Sequence, residues 1–418
     1  MWRNKVVRLA LARLQDSALP IGVRFWNGEE YMPPGEILVR LTVHDVAALR
    51  ALVRPTLGRL ARAYVEGHID LDGDMRDILM IGEKLCAAAS ASDEKRVPAF
   101  AWLRQTRPAA RKNISYHYDI SNDFYALWLD ANHVYSCAYF RKPEDTLDRA
   151  QEQKLDHICR KLMLREGETL LDIGCGWGGL ILWAAKHYGA RCVGITLSQS
   201  QHDYVVAEIA RRGLTGRVEV RLQDYRDVPE DAPFDKITSV GMFEHVGCKH
   251  LVVYFSKMQH LLKPGGLAMN HGITYGTLDA KGLRSDIADF AERYVFPGGE
   301  LTHVSAVIAE LSRAGLECLD VESLRPHYAR TLWHWVDRLE AHADEARRIA
   351  GDKAYRIWRI YMAGSAHVFS RGWMSLFQVL VGKPLPDGSL PYPYTRDHVY
   401  RGLEEAPARP WELIAPVV

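Results

Sequence analysis

The segment Thr169-Leu170-Leu171-Asp172-Ile173-Gly174-Cys175-Gly176-Trp177-Gly178-Gly179 decides how the rest of the chain is read. A short run rich in Leu and Ile predicts the strand Thr169–Ile173, and the glycines behind it predict a tight turn into a helix over Leu180–Tyr188. From about residue 145 to 275 the same alternation repeats. Cys192–Leu197, Val218–Leu222, Lys236–Val240 and Leu267–His271 read as strands, with a helix across Ser200–Arg212. Strands alternating with helices imply a parallel sheet, hence an α/β fold with a Rossmann-like core. Ligands of such sheets bind outside the carboxyl ends of the strands, where this glycine turn falls.

A Gly-x-Gly turn alone serves NAD, FAD and S-adenosylmethionine alike. The order of neighbouring residues discriminates among them. A dinucleotide site would show an acid closing the second strand, yet here that strand ends Gly194-Ile195-Thr196-Leu197-Ser198. Asp172 stands before the glycines, and Gln223-Asp224 follow the third strand. That placement suits S-adenosylmethionine, with the first acid toward its methionine or ribose polar groups and the second toward its adenine amino group.

The chain has 418 residues, 48% of them hydrophobic and 25% charged, with 53 Lys+Arg against 52 Asp+Glu and a net charge of +1. This balance excludes disorder and a nucleic-acid binder that relies on whole-protein charge. The length allows two or three domains, each with its own core. No run of about eighteen apolar residues occurs, so no spanning segment is expected. The seven cysteines are odd in number and form no Cys-x-x-Cys pair, which fits free thiols in a reducing compartment and no metal site. The start of the chain lacks the apolar core of a signal peptide, so a cytoplasmic protein is expected.

Residues 1–105 read as a small, mildly basic α+β unit. Its strands are Val23–Trp26 and Ile37–Val43, parted by Pro33-Pro34-Gly35, and its helices are Asp45–Glu66 and Met75–Ala89. Met1–Leu14 spaces Arg3, Lys5, Arg8 and Arg13 around Trp2, Val6, Leu9 and Ala10, an amphipathic basic pattern suited to an anionic lipid surface or to docking on its own unit. Residues 90–110 read as a linker, 106–385 as the main domain and 386–418 as a Pro-rich tail lying on the surface. Beyond residue 300 the pattern is mostly helical, with Trp333, Trp335, Trp358 and Trp373 read as core.

Four more segments carry a family likeness. They are Ile114-Ser115-Tyr116-His117-Tyr118-Asp119-Ile120-Ser121-Asn122-Asp123-Phe124-Tyr125, Tyr135-Ser136-Cys137-Ala138-Tyr139-Phe140, Leu222-Gln223-Asp224-Tyr225-Arg226-Asp227 and Val240-Gly241-Met242-Phe243-Glu244-His245-Val246-Gly247. With the glycine loop, they resemble the cyclopropane-fatty-acyl-phospholipid synthases, S-adenosylmethionine methyltransferases that act on lipid double bonds. The likeness runs in order over about residues 20–380, and Gly67-His68-Ile69-Asp70-Leu71-Asp72-Gly73-Asp74 is similar to that family's small leading domain.

The resemblance implies a class I methyltransferase domain and roles for individual residues. Tyr135 and Ser136 would close over S-adenosylmethionine, with Asp172, Gly174, Gly176 and Gly179 at its methionine side. Thr196 and Gln201 would take the ribose side, and Gln223, Asp224 and Tyr225 would surround the adenine. A bicarbonate ion acting as base would be held by Cys137, Glu244, His271, the backbone of Ile273, and Tyr328. The substrate would be an unsaturated phospholipid acyl chain reached by peripheral contact with a membrane, and a homodimer is compatible with this reading. Taken singly, Cys137 reads as a small core residue, Glu244 as a helix-start acid and His271 as a core histidine. Three rivals stand beside the cyclopropane reading: a methylene-branched, methyl-branched or furan-precursor product of the same first step, an amine N-methyltransferase, and a non-catalytic lipid binder.

Overall fold

The computed structural model describes Val7, Leu11 and residues 19–89, 121–279, 285–296 and 300–403. Most of the basic start, the linker, the motif at 114–120 and the end of the tail lie outside these residues.

In the leading unit β1 (Ile21–Phe25), β2 (Glu30–Tyr31), β3 (Val39–Val43) and β4 (Ile69–Asp72) form a sheet in the order β2-β1-β3-β4. Alternation along β3 buries Val39, Leu41 and Val43 while Arg40 faces out. The helix expected over Asp45–Glu66 is broken. A 3-10 turn at Val46–Ala48 leads into Leu49–Val53, and a second helix, Leu57–Val65, begins after Pro55. Proline lacks the amide and forces Arg54 out of helical geometry (φ −131°, ψ 73°), so Thr56 recaps the chain by accepting from Arg59 N at 3.2 Å. The helix Met75–Ala89 has its expected limits.

The main sheet has the order β10-β11-β9-β8-β5-β6-β7. Its central strands are β5 (Thr169–Ile173), β6 (Arg191–Thr196), β7 (Val218–Leu222), β8 (Phe234–Val240) and β9 (Leu262–Tyr275), all parallel. Beyond the parallel sheet expected, β10 (Glu317–Ser323) and β11 (Met374–Gly382) extend it past β9. Only β11 runs against the others, pairing antiparallel with both neighbours. Each face of the sheet is covered. Leu170, Met269 and Leu380 pack under the helices Leu147–Lys161, Gly179–Tyr188 and Gln199–Arg211, while Leu171, Ala268 and Val379 pack under Leu251–Leu261 and Val304–Arg313.

The helices Arg325–Ala341 and Asp352–Ser370 join this sheet to the leading unit. One continuous core holds Val23, Ile69 and Ile78 together with Trp335, Trp358 and Phe369. Arg76 forks onto Asp337 with two bonds of 3.0 Å, and Arg359 reaches Glu340 at 2.6 Å and Tyr64 Oη at 3.1 Å. Among the described residues no helix is long and apolar enough to cross a membrane.

Candidate active site

At the end of β5 the chain must turn sharply without side chains in the way. Gly174 has φ +81° and Gly178 φ +79°, in the left-handed region that favours glycine. A Cβ on Gly174 would approach Met242 Cγ to 3.2 Å, and one on Gly178 would press on both Val205 methyls at 3.0 Å. The Gly174 and Cys175 amides both donate to Ile195 O at 3.0 Å, which fixes the turn against β6. The resulting cavity, about 140 Å³, takes in Tyr135, Ser136, Asp172, Gly174, Gly176, Gly179, Thr196, Gln201, Gln223 and Tyr225.

Polar groups around this cradle are held in place. Asp172 is buried and accepts from Thr238 Oγ1 at 2.7 Å, and burial raises its pKa to about 6. Thr196 Oγ1 donates to Gln201 Oε1 at 2.8 Å, and Gln223 Nε2 donates to Asp227 O at 2.9 Å. Asp224 departs from expectation. It caps the turn at Tyr225–Asp227, and Arg226 Nε donates to its carboxylate at 2.8 Å, so it does not line the cavity.

A second, apolar cavity of about 570 Å³ adjoins the first, and both are bordered by Tyr135, Ser136, Gly241 and His245. At this junction stand Cys137, Glu244, His271, Ile273 and Tyr328, brought together from four separate stretches of chain, with His271 and Ile273 both on β9. The approach depends on Gly272, where a Cβ would sit 2.0 Å from the Phe243 ring and 3.0 Å from Glu244 Oε1. The short 3-10 turn Phe243–His245 can therefore lie flat on β9. Ile273 N donates to Glu244 Oε1 at 2.7 Å, so this amide serves the carboxyl group rather than standing open for an anion.

Two polar atoms remain unsatisfied here. Glu244 Oε2 and His271 Nε2 are buried without a hydrogen-bond partner, and both residues line the apolar cavity. Burial raises the Glu244 pKa to about 7 and holds His271 well below its ordinary value, leaving the imidazole neutral. The other His271 nitrogen, Nδ1, lies 3.3 Å from Gln378 Nε2 on β11. Cys137 Sγ is fully buried, donates to Ala138 O at 3.2 Å and is pushed above the ordinary thiol range, so it acts as a neutral wall. Tyr328 packs against Phe369 (centroids 4.7 Å apart) and edge-on to Trp335.

Four residues at or behind the two cavities escaped the sequence reading. Lys154 is buried beside the cradle and donates to Ser136 Oγ at 2.9 Å, while Gln151 Nε2 donates to Ser136 O at 2.8 Å. Burial lowers the Lys154 pKa to about 8. The available signal was polar residues at core positions of an amphipathic helix, since Gln151, Lys154, Leu155 and Ile158 are all buried. Gln378 is likewise a lone polar residue in the apolar run of β11. The fourth is His245, which borders both cavities and whose pKa burial lowers to about 4.

Comparison with known proteins agrees with this fold. Residues 105–379 match the model of the mycolic acid cyclopropane synthetase family. A probable fatty acid methyltransferase of Pseudomonas putida is 44% identical over 388 residues, covering 93% of this chain and 98% of its own. Cyclopropane mycolic acid synthase 1 of Mycobacterium tuberculosis is 35% identical over 274 residues, 64% of this chain and 95% of its own. A crystal structure of a mycolic acid cyclopropane synthase complexed with SAH and CTAB superposes with a TM-score of 0.62, at 34% identity over 65% of this chain and 97% of that one. The chain belongs to the mycolic acid cyclopropane synthetase family and is an S-adenosylmethionine-dependent methyltransferase of the cyclopropane synthase type, acting on lipid acyl chains.

Proposed function

We propose that the protein methylates the cis double bond of an unsaturated phospholipid acyl chain and closes the product to a cyclopropane, with bicarbonate held between Glu244 and His271. The observation that carries this reading is the pair of orphaned atoms, Glu244 Oε2 and His271 Nε2, at the junction of a polar cradle and an apolar cavity. S-adenosylmethionine supplies an electrophilic methyl group, and bicarbonate supplies a base for the proton that must leave before the ring closes.

This chain's residues have three tasks. The apolar cavity excludes water and holds the alkene, a weak nucleophile, in line with the methyl donor. Tyr135 borders both cavities, and its ring stands among those of Trp128 and Trp335 at 5.5 and 5.3 Å. Such aromatic faces stabilise a carbocation on the acyl chain without capturing it. Near neutral pH Glu244, with its pKa about 7, can donate or accept through Oε2, while neutral His271 presents Nε2 beside it.

Access is supported by the leading unit. The two short helices whose Leu52, Leu57 and Leu60 line the apolar cavity expose Arg50 and Arg59, and the turn between them exposes Arg54. Exposed arginines on a segment that also lines an apolar cavity suit an anionic phospholipid surface. Replacing the three arginines with serine is expected to weaken co-sedimentation with anionic vesicles at low salt and leave S-adenosylhomocysteine binding unchanged.

The decisive experiment incubates the protein with labelled S-adenosylmethionine and vesicles of defined unsaturated phospholipids, then maps the carbon skeleton of the released acyl esters. A ring across the former double bond supports the reading. A methyl-branched or methylene-branched chain would replace it with the second reading. Methylation of an amine with no acyl product would overturn both.

A further inference from the structure

The helix Asp352–Ser370 runs from the leading unit to the reacting end of the apolar cavity. Near its start Arg356 pairs with Asp70 at 2.7 Å and Arg359 donates to Tyr64 Oη. At its end the Phe369 ring lies against Tyr328. Gly364 stands five positions after Arg359 and five before Phe369, or about 7–8 Å along the axis from each. A glycine inside a helix costs stability relative to alanine, so its presence needs a packing reason. Space supplies one: a Cβ at Gly364 would meet nothing within 4 Å, and Gly364, Tyr361, Ser365 and Val368 all line the apolar cavity.

A second glycine faces the same cavity from the other unit. Gly82 lies inside the helix Met75–Ala89, and a Cβ there would make only an ordinary contact with Leu57 Cδ2 at 3.4 Å. The next residue sets the level at which the two helices meet. The Glu83 carboxylate accepts from Arg371 Nε at 3.1 Å and lies 3.3 Å from His367 Nε2, just under one turn beyond Gly364. Across a fixed, ion-paired crossing, each helix therefore omits a side chain on the wall of the cavity that holds Glu244 and His271.

We propose that the acyl chain runs between Gly82 and Gly364, and that these two glycines gauge the length of chain the cavity accepts. The inference rests on the acyl-chain reading above and adds the residues that set its selectivity. Gly82→Leu and Gly364→Leu, with alanine at each site as the milder change, are compared with the unaltered protein. The substrates are phosphatidylglycerol vesicles carrying palmitoleoyl, oleoyl or cis-vaccenoyl chains, and S-adenosylhomocysteine binding is measured alongside by calorimetry.

The leucine variants are expected to bind S-adenosylhomocysteine as before. Their oleoyl-to-palmitoleoyl or cis-vaccenoyl-to-palmitoleoyl turnover ratio should fall by about tenfold or more, in the range one or two methylenes command in an apolar pocket. The two ratios separate chain beyond the double bond from chain before it. If a leucine variant does not fold, the alanine variants give the same comparison with a smaller fall. Unchanged ratios, whether or not overall turnover drops, or a parallel loss of S-adenosylhomocysteine affinity, would overturn the proposal. An unaltered protein that methylates none of these vesicles would instead strike the acyl-chain reading itself.

Discussion

The cofactor cradle and the apolar cavity share a wall but are built on opposite terms. In the cradle the described polar side chains are already engaged: Asp172 with Thr238, Thr196 with Gln201, and Gln223 with the backbone. The cavity beside it buries an unpaired carboxyl oxygen and an unpaired imidazole nitrogen in apolar surroundings. A buried polar atom without a partner costs about 1–3 kcal/mol. The difference separates a surface made to receive a ligand with little rearrangement from one whose cost is met only when something polar arrives. Variants in the two regions should therefore fail in different ways, the first in cofactor affinity and the second in turnover.

The sharpest break of that comparison is Glu244→Gln. It keeps the shape and the bond from Ile273 N but removes the acid. Turnover on unsaturated vesicles is expected to fall by about 10²–10⁴-fold, the usual worth of a positioned proton-transfer group. S-adenosylhomocysteine affinity should stay within about twofold, because Glu244 does not border the cradle. Equal losses in both measurements would merge the two regions.

A smaller effect comes from the charge of the same residue. Its folded pKa, about 7, lies above the 4.5 of a free glutamate, so the native state binds the proton more tightly than the unfolded chain does. Its contribution is full below the unfolded value and is lost as pH rises through about 7, a loss of about 3 kcal/mol across that window. Urea titrations between about pH 5 and about pH 8 should show this decline in the unaltered protein and a flatter profile in Glu244→Gln. Parallel profiles would show that Glu244 is not held against ionisation.

The two regions were also unequally legible. The cradle is compact in sequence: β5 and β7 have their expected limits, β5 as a short, largely apolar run and β7 because Val218, Val220 and Leu222 alternate with Glu219 and Arg221. The cavity draws its wall from residues as distant as Ile21 and Leu376, and nothing local in the chain announces that union. The motif likeness brought Cys137, Glu244, His271 and Tyr328 forward, and they do converge. Their supports, Gln378 and Gly272, stood unread on strands. β11 was absorbed into a helical reading because Leu376–Val381 is nearly continuous in apolar residues, a pattern that helix and buried strand share. The unbroken helix over Asp45–Glu66 was an error the sequence itself could have prevented, since Arg54-Pro55 is a break signal. For Asp224, position after a strand does not reveal that Arg226 donates to the carboxylate.

Gly174→Ala probes the cradle alone. With φ +81° an alanine is strained by about 1–2 kcal/mol, and its methyl would crowd Met242 at 3.2 Å. S-adenosylhomocysteine binding should weaken by about tenfold, while turnover at saturating cofactor changes little. A fall in saturated turnover with unchanged affinity would reverse the assignment of the two cavities.

The smallest expected effect falls on the wall between them. Lys154→Met removes the amine that donates to Ser136 Oγ but keeps the length of the buried side chain. A buried charge exchanged for an apolar group of similar volume is often near neutral for stability, so folding should persist. What is lost is the hold on Ser136, worth about 1 kcal/mol or about fivefold in affinity. Because burial lowers the Lys154 pKa to about 8, that hold loses its charge assistance as pH rises past this value, leaving the weaker bond of a neutral amine. Cofactor affinity should therefore decline above about pH 8 in the unaltered protein and remain level in Lys154→Met, the gap between the two curves narrowing at high pH. Curves that stay parallel would mean that Gln151, through its bond to Ser136 O, holds the wall by itself.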